Sequence, residues 1–404
     1  MKILIMQKYT AVILLLLLLG CATENVSLVQ TDTNANTAEA TIAAVKEKWA
    51  PDKRVALFDV EAGEADGRLV LRGESNLPAA VDSLKTALNA SDVAYIDSIQ
   101  ILPDAALQGK TRAVVTISVA NLRSAPKHSA ELATQATLGT PLKVLKKQGG
   151  WYLVQTPDDY LSWVDYGGLV SLTEEEFNRW HAAEKLIYMQ PYGFSYETPD
   201  AAAPTVSDLV MGSILEIAGE EESFYQVRYP DGTTAWIPKT EAQSYTKWLA
   251  GLNPSGSSLV STSFTLKGLP YLWGGTSFKG VDCSGFTKTV YFLNGMVIPR
   301  DASQQIHTGE LVDDTRDFDK LLPGDLLFFG RPATDSSPER VVHVGMWIGN
   351  NEFIHSAGKV HISSVDSTAE NFDQYNYDRY LRTKRLLQQN DPRLIQLSNS
   401  TIFK

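Results

Sequence analysis

Val281-Asp282-Cys283-Ser284-Gly285 is the most informative segment in the last third of this chain. It precedes a segment in which apolar residues recur at helical spacing, namely Phe286, Val290 and Leu293. Asp282 is a residue type preferred at a helix N-cap, which places Cys283 in the first helical turn. Unpaired backbone amides and the helix dipole favour the thiolate there, so Cys283 is the candidate nucleophile rather than an inert buried thiol.

A thiol nucleophile needs an imidazole that accepts its proton, and the chain has six histidines. His343 lies in an alternating strand, residues 341–348, whose core side is predicted to carry Val342, Val344, Met346 and Ile348. His343 then points the other way, beside Gly345, which would leave space for a substrate. His355 lies in the next strand and is placed to orient the first imidazole by a hydrogen bond.

The hairpin between these strands must bring both imidazoles to one face. A regular two-residue loop of Asn350 and Asn351 would pair His355 with Met346 and put the imidazoles on opposite faces. We therefore predict a three-residue loop, Gly349 to Asn351, or a bulge nearby. The other histidines have looser contexts, and two of them, His128 and His181, are expected at the surface; the remaining two are His307 and His361.

The first 21 residues read as a secretory signal peptide, because Lys2 and Lys8 precede an apolar core, residues 11–19, that is too short to span a bilayer. Residues 18–21 resemble the bacterial lipoprotein processing box, whose cysteine, here Cys21, becomes lipidated. An ordinary signal peptide is the alternative. With Cys21 lipidated, Cys283 has no partner for an internal disulfide. We expect a membrane-anchored lipoprotein of the cell envelope that faces the periplasm of a Gram-negative bacterium.

Composition limits the class of protein. The 404 residues are 44% hydrophobic and 21% charged, which is typical of soluble globular domains and allows several of them. The net charge of −11 disfavours a nucleic-acid partner, because phosphate backbones are normally bound by a basic face.

The middle of the chain repeats itself at an offset of 73 positions, and the matched pairs include Gly139 and Gly212, Trp151 and Phe224, Asp158 and Asp231, and Trp163 and Trp236. Each copy has alternating strands joined by a Pro-Asp turn, which indicates two small β-barrels. A helix over residues 173–186 is predicted between them. Upstream, helices over 40–49 and 77–88 and strands over 54–60, 68–74 and 96–102 predict a small α+β unit.

The predicted organisation is an α+β multidomain chain. Its parts are a signal peptide with the lipidated cysteine (1–21), a flexible tether (22–38), an α+β domain (39–115), a first barrel (116–172), a linker helix with a second barrel (173–250), a catalytic domain (251–387) and a C-terminal tail (388–404).

Five short motifs occur in order, at residues 270–275, 282–286, 322–326, 343–345 and 353–356. Together they resemble the NlpC-type cysteine peptidases, and the barrels resemble the bacterial SH3-like domains that accompany wall-degrading enzymes. The resemblance implies a papain-like catalytic domain that needs neither metal nor cofactor, with a triad of Cys283, His343 and His355. Tyr271 would lie near the nucleophile and assist the oxyanion or the substrate.

The whole architecture also resembles murein-recycling dipeptidyl peptidases. These cut the γ-D-glutamyl bond to diaminopimelate or lysine in stem peptides with a free N-terminal L-alanine, and an SH3-like domain closes their groove. Peptidoglycan-derived peptides are therefore the expected partners. The alternatives are a murein endopeptidase that uses the barrels for wall binding, and a non-catalytic wall-binding lipoprotein.

An exopeptidase must recognise an ammonium group, and a buried ammonium needs a paired charge and hydrogen bonds. The resemblance implies that Asp282, Asp301 and Ser284 line the site. The first barrel offers Glu131 with either Tyr160 or Tyr166. The alternative for Glu131 is a solvated surface carboxylate, and the two tyrosines have the alternative of ordinary barrel residues.

Overall fold

The computed structural model describes residues 34–403 and contains two compact units, one ending at Asp104 and one beginning at Ala105. The predicted signal peptide, Cys21 and most of the predicted tether lie outside the described residues. Between residues 34 and 403, no helix has the length and apolar character needed to cross a membrane.

The first unit packs two helices against a three-stranded sheet. Its elements are α1 (34–49), β1 (Phe58–Ala65), β2 (Arg68–Ser75), α2 (Pro78–Ala90) and β3 (Ile96–Ile101). β2 pairs antiparallel with β1 and parallel with β3, which agrees with the predicted α+β fold. The predicted boundary at residue 115 is wrong, because the unit ends at Asp104 and residues 112–115 pair within the next sheet. The predicted strand 54–60 starts too early, because Asp52 accepts hydrogen bonds from the Arg54 amide and guanidinium and holds a turn there. The predicted tether is wrong at 34–38, which are helical.

The second unit begins with two seven-stranded antiparallel sheets of identical topology. The first contains β4 (Arg112–Val115), β5 (Val119–Arg123), β6 (Leu132–Thr137), β7 (Pro141–Gln148), β8 (Trp151–Gln155), β9 (Leu161–Asp165) and β10 (Leu169–Leu172). The second contains β11 (Lys185–Tyr188), β12 (Tyr192–Tyr196), β13 (Thr205–Val210), β14 (Ile214–Glu220), β15 (Phe224–Arg228), β16 (Thr234–Pro238) and β17 (Ala242–Ser244).

The predicted repeat is confirmed by both strand position and a shared irregularity. Every strand of the second sheet starts 73 residues after its counterpart, as Lys185 follows Arg112. The β7–β8 ladder has a bulge between Val144 and Lys146, and the β14–β15 ladder has one at the equivalent residues, Ile217 and Gly219. A bulge increases local twist, so its repetition gives both sheets the same curl.

The helix between the sheets, α3 (Glu174–Ala182), is shorter than predicted. A capping box of Thr173 and Glu176 starts it. It ends because the following residues, β11, pair with strands on both sides and are all buried. Tertiary strand pairing therefore overrides the local helical pattern.

The catalytic domain packs helices on one six-stranded antiparallel sheet of order β21-β26-β22-β23-β24-β25. Its helices are α4 (Tyr245–Gly251), α5 (Gly256–Thr265), α6 (Cys283–Leu293), α7 (Ala302–Gln305) and α8 (Gln374–Asp378). Its strands are β18 (Thr276–Ser277), β19 (Gly280–Val281), β20 (Met296–Val297), β21 (Glu310–Asp313), β22 (Leu326–Arg331), β23 (Arg340–Gly349), β24 (Glu352–Ala357), β25 (Lys359–Ser364), β26 (Tyr380–Arg385) and β27 (Ile395–Gln396). α6 buries Phe286 and Val290 against Val344 and Ile354, so the helix that begins at Cys283 lies on the strands that carry the histidines.

The C-terminal residues belong to the core instead of forming a tail. β27 pairs with β20. Leu397 and Phe403 are buried together with Trp248 and with Ile187 of the second barrel. The aromatic and aliphatic residues after position 394 therefore fix the second barrel to the catalytic domain.

The histidine hairpin contains a bulge, which is the second of the two predicted alternatives, and its loop has two residues instead of three. Asn350 and Asn351 form a two-residue turn, each with positive φ, and Gly349 pairs with Glu352. The register shifts between Trp347 and Gly349, which moves His355 opposite Gly345 and onto the face of His343.

A second bulge corrects the predicted core face of β23. Val342 was expected in the core but is 41% exposed. The β22–β23 ladder pairs Phe329 with His343 and Gly330 with Val341, so Val342 is the extra residue. Val341 packs against the core in its place. Val344 and Met346 are fully buried as predicted.

Candidate active site

Cys283 is the first residue of α6 and is 8% exposed. The preceding residue, Asp282, caps the helix as predicted, because its Oδ1 accepts the amide of Gly285 at 2.7 Å. The backbone amides of Ser284 and Val344 lie close enough to the sulfur to favour its thiolate form. Val344 follows His343, so this contact brings the candidate nucleophile beside the candidate base.

The helix start does not produce a thiolate in the resting site, which corrects the expectation from sequence. Burial raises the pKa of Cys283 to about 12, and the negative charge of Asp282 adds to the effect. The two backbone amides and Arg300 act in the opposite direction and are outweighed. The Asp282 carboxylate at the N-cap thus offsets the lowering of the thiol pKa by the helix dipole. Cys283 therefore needs a base to form the thiolate.

The two imidazoles are hydrogen-bonded, with His343 Nε2 and His355 Nδ1 2.7 Å apart. Burial is the largest cause that lowers the pKa of His343, to about 4, and Arg379 lowers it further. The pKa of His355 is also lowered by burial and then by its two histidine neighbours. Neutral His343 is thus available as a base. Since Nε2 faces His355, Nδ1 is the nitrogen left to accept the thiol proton.

The lack of a side chain at Gly345 allows the two histidines to meet and does not open space for a substrate. A Cβ atom there would lie 2.7 Å from the Phe353 ring and 3.3 Å from the Cβ of His355. The space that the sequence suggested for a ligand is therefore filled by the neighbouring strand. The absence of a side chain lets β24 approach closely enough for the two imidazoles to meet.

The pH dependence of catalysis follows from these shifts. The active form has a neutral imidazole and one thiol proton, so protonation of His343 sets the acid limb and loss of the Cys283 proton sets the alkaline limb. With the pKa of His343 lowered and that of Cys283 raised, we expect a broad profile of kcat/KM. Its acid limb should lie below the ordinary imidazole value of about 6.5, as a property of the coupled pair.

Steady-state kinetics between about pH 4 and pH 10 would check this profile, and an acid limb at or above about 6.5 would contradict it. Circular dichroism at each pH is the control. A buried imidazole with a lowered pKa stabilises the fold fully above about 6.5, and that contribution is lost as the pH falls toward 4.

A buried arginine that the sequence did not single out organises the helix start. Arg300 is 1% exposed and binds both oxygens of Asp282, at 3.1 and 2.6 Å. It also donates to Ser284 Oγ at 3.0 Å and, from Nε, to Thr134 of the first barrel at 3.0 Å. Asp282 Oδ2 further accepts the amide of Gly274. Asp282 and Ser284 thus hold the site together, and their direct contact with substrate stays a prediction.

Tyr271 lies near the nucleophile, as expected from the resemblance. Its pKa is raised, first by burial and then by the charges of Cys283 and Asp282. The phenol therefore keeps its proton at neutral pH and can donate a hydrogen bond within the site. Its backbone amide donates to the carbonyl of Gly358, which fixes the segment that leads into the site.

Two cross-domain contacts bring first-barrel residues to the catalytic domain. Tyr160 is 7% exposed and donates from its hydroxyl to Asp301 Oδ2 at 3.1 Å. Glu131 is exposed, and its Oε1 accepts the indole N–H of Trp273 at 2.7 Å. Trp273 is 61% exposed, and although it lies in the motif at residues 270–275, no pattern in the sequence singles it out.

Tyr166 is not brought to this place. It is 72% exposed, packs beside Gly150 and follows the opposite end of β9 from Tyr160. Six residues of extended chain put the two tyrosines on the order of 20 Å apart. Of the two candidates, the structure therefore favours Tyr160.

The first barrel is fixed to the catalytic domain by buried polar contacts. Gln135 Oε1 accepts hydrogen bonds from the Thr276 amide at 3.1 Å and from Ser277 Oγ at 2.9 Å. Lys288 of α6 forms an ion pair with Asp158, whose side chain is 7% exposed. Breaking such pairs leaves buried charges and amides unpaired, so this barrel is held firmly against the catalytic domain and is not a loosely attached module.

The other histidines stay outside the proposed reaction. His361 lies opposite His355 in the β24–β25 ladder, with ring centroids 4.4 Å apart. His307 is exposed. His128 is exposed beside Trp151, and His181 contacts the carbonyl of Thr401.

Comparison with known proteins agrees with this geometry. A sequence profile of the NlpC/P60 family matches residues 268–382, and one for a bacterial SH3 domain matches residues 118–171. The chain is 32% identical over 240 residues to a gamma-D-glutamyl-L-lysine dipeptidyl-peptidase of Bacillus cereus, which covers 56% of this chain and 67% of that protein. It is 25% identical to dipeptidyl-peptidase 6 of Lysinibacillus sphaericus, covering 63% of this chain and 92% of that protein.

Among solved structures, the crystal structure of an NlpC/P60 family protein from Bacillus cereus superposes with a TM-score of 0.59 at 26% identity, covering 68% of this chain and 99% of that protein. The predicted fold class is confirmed by these matches. This chain belongs to the NlpC/P60 family of cysteine peptidases.

Proposed function

We propose that this peptidase hydrolyses the bond between γ-D-glutamate and the diamino acid in peptidoglycan stem peptides with a free N-terminal L-alanine, releasing L-alanyl-γ-D-glutamate for murein recycling. The observation that carries the proposal is the pair of cross-domain contacts, Glu131 with Trp273 and Tyr160 with Asp301. They set two carboxylates and two aromatic groups where the first barrel meets the catalytic domain. The names of the Bacillus and Lysinibacillus relatives support the same specificity.

The proposed reaction begins when the Cys283 sulfur attacks the carbonyl carbon and its proton passes to Nδ1 of His343. The oxyanion is stabilised by the Tyr271 hydroxyl and by the backbone amide of Cys283, which as the first residue of α6 has no acceptor within its own helix. His343 then protonates the leaving amine, and a thioester to Cys283 remains. Water, deprotonated by His343, hydrolyses the thioester and restores the thiol.

Selection of a peptide with a free amine follows from the carboxylates near the site and from closure of the groove by the first barrel. An ammonium group that leaves water needs a carboxylate and additional acceptors to offset its desolvation. Glu131 and Asp301 supply the charge, and Tyr160 orients Asp301 through its hydroxyl. In this proposal the first barrel closes one end of the groove, which leaves room for one dipeptide unit before the bond that is cut.

Acylating the alanine amine of a synthetic stem peptide is expected to lower kcat/KM by at least on the order of a hundredfold, equal to about 3 kcal/mol. Acylation removes the positive charge and adds bulk against a closed end. Mass spectrometry of the products would show L-alanyl-γ-D-glutamate from the free peptide.

Two tyrosine variants provide a matched control. Tyr160→Phe removes the hydroxyl that contacts Asp301 and should lower the rate on the free peptide by roughly tenfold, the value of one charge-assisted hydrogen bond. Tyr166→Phe removes a hydroxyl at an exposed site and should leave the rate unchanged. Equal rates on free and acylated peptides would reject the exopeptidase and favour an endopeptidase, which digestion of intact sacculi would then reveal.

The anchor is part of the proposal. Lipidation of Cys21 would hold the enzyme at a membrane, facing the periplasm, where released stem peptides pass. A Cys21→Ser variant should move the protein from the membrane fraction to the soluble fraction without changing its rate on free peptides. Membrane association of that variant would argue against the lipid anchor.

A further inference from the structure

The imidazole of His355 has a polar environment behind its contact with His343. Its Nε2 lies 3.0 Å from Ser363 Oγ and 3.9 Å from Asp373 Oδ2. His355 is 1% exposed and Ser363 is 5% exposed, so these groups replace water around the second nitrogen. Neither Ser363 nor Asp373 belongs to the triad that the sequence motifs indicate.

The hydrogen bond between the imidazoles determines where each proton must be. His343 needs an unprotonated Nδ1 to accept the thiol proton, so its neutral ring carries hydrogen on Nε2 and donates to Nδ1 of His355. His355 must then be protonated on Nε2, which needs an acceptor. Ser363 Oγ is at hydrogen-bond distance from that nitrogen.

We propose that Ser363 and Asp373 are positioning residues of the reaction: Ser363 holds His355 in the tautomer protonated on Nε2, and Asp373 stabilises the positive charge that forms on the histidine pair. This inference rests on the proposed roles of Cys283, His343 and His355. It adds two residues from different elements to the machinery behind the base.

Strand register explains why Ser363 reaches His355. β24 and β25 pair His355 with His361 and Phe353 with Ser363, so Ser363 is the diagonal neighbour of His355 on the same face. The next residue, Ser364, points to the other face and donates its hydroxyl to the carbonyl of Asn351. The two adjacent serines therefore form a natural pair of test and control positions.

The charges around the histidine pair explain a role for Asp373. When His343 takes the proton from Cys283, a positive charge appears among groups of both signs. Asp373, before α8, and Asp282, before α6, favour that charge, whereas Arg379 after α8 opposes it. His361 on β25 also opposes it. Asp373 is held in place because both of its oxygens accept hydrogen bonds from Asn376.

The tautomer can be measured without any turnover. Nitrogen-15 NMR of the histidines in the Cys283→Ala protein, without substrate, should show His355 protonated on Nε2. Adding Ser363→Ala should produce a mixture of tautomers, Ser363→Thr should restore the Nε2 form because it keeps a hydroxyl, and Ser364→Ala should change nothing. An Nδ1-protonated His355 at the outset, or an unchanged tautomer in Ser363→Ala, would overturn the assignment.

Kinetics of otherwise wild-type protein test the effect on the reaction. Ser363→Ala should lower kcat on the order of tenfold with little change in KM, the value of one hydrogen bond to a group that becomes charged. Asp373→Asn should lower kcat and also move the acid limb to lower pH, because a carboxylate that favours the protonated imidazole is lost. Asp366→Asn, in the same loop but hydrogen-bonded to Thr368 instead of facing the histidine pair, is the control and should alter neither.

A general loss of structure would not move the acid limb in that direction. An unmoved limb in Asp373→Asn, or an equal loss of kcat in Asp366→Asn, would overturn the role of Asp373. If the wild-type enzyme fails to cut stem peptides, the proposed function is wrong, but the NMR result still decides whether Ser363 sets the tautomer.

Discussion

Replacing Cys283 with alanine is expected to lower kcat/KM by on the order of 10⁴-fold or more while the protein stays folded. The sulfur is proposed to form the covalent bond to the substrate, and no neighbouring group can substitute for it. A buried free thiol packs like a small apolar group, so its loss should change the free energy of unfolding by only about 1 kcal/mol. Rates on a stem peptide and thermal unfolding of the same samples would measure both effects.

Substitution of the two histidines should lower the activity to different extents. His343→Ala removes the base and should be nearly as inactive as Cys283→Ala, whereas His355→Ala should keep some activity because it acts through His343. Binding of the stem peptide to Cys283→Ala should remain close to wild type. Appreciable turnover by Cys283→Ala would remove the assignment of the nucleophile.

The second large effect concerns stability. Replacing Arg300 with methionine is expected to lower the free energy of unfolding by about 3–5 kcal/mol, because Asp282 would stay buried without its cation. The helix that begins at Cys283 would also lose the contact that holds its N-cap, so activity should fall with stability. Chemical denaturation followed by tryptophan fluorescence would measure the change.

A more exposed arginine pair and a double variant test whether the buried charge of Asp282 causes the expected loss of stability. Arg393 also binds both oxygens of Asp391, through Nε and one terminal nitrogen, but its side chain is 51% exposed whereas that of Arg300 is 1% exposed. Arg393→Met should therefore cost less than about 1 kcal/mol. Combining Arg300→Met with Asp282→Asn should recover part of the loss, because the unpaired buried charge is removed. Equal effects of the two arginine substitutions would show that burial is not the cause.

Several features of the fold could be predicted because they depend on local patterns. The 73-residue repeat, the helix start at Asp282 and the need for a bulge in the histidine hairpin all follow from spacing along the chain. The bulge could be predicted because side chains alternate strictly along a strand, so a regular two-residue turn would put the two imidazoles on opposite faces. Where local pattern and tertiary pairing disagreed, as after Ala182 and at Val342, the sequence was misleading, because strand pairing and bulges depend on partners elsewhere in the chain.

The candidate nucleophile and the imidazoles could be identified from the sequence alone, because a helix start and two alternating strands carry them in order. The groups that surround them become apparent only in the folded chain. Arg300, Trp273, Ser363 and Asp373 come from separate elements, and only the fold brings them into contact with the site. Burial and the charges of neighbours then set the protonation of the site, raising the pKa of Cys283 and lowering that of His343, because desolvation exists only once the chain has folded.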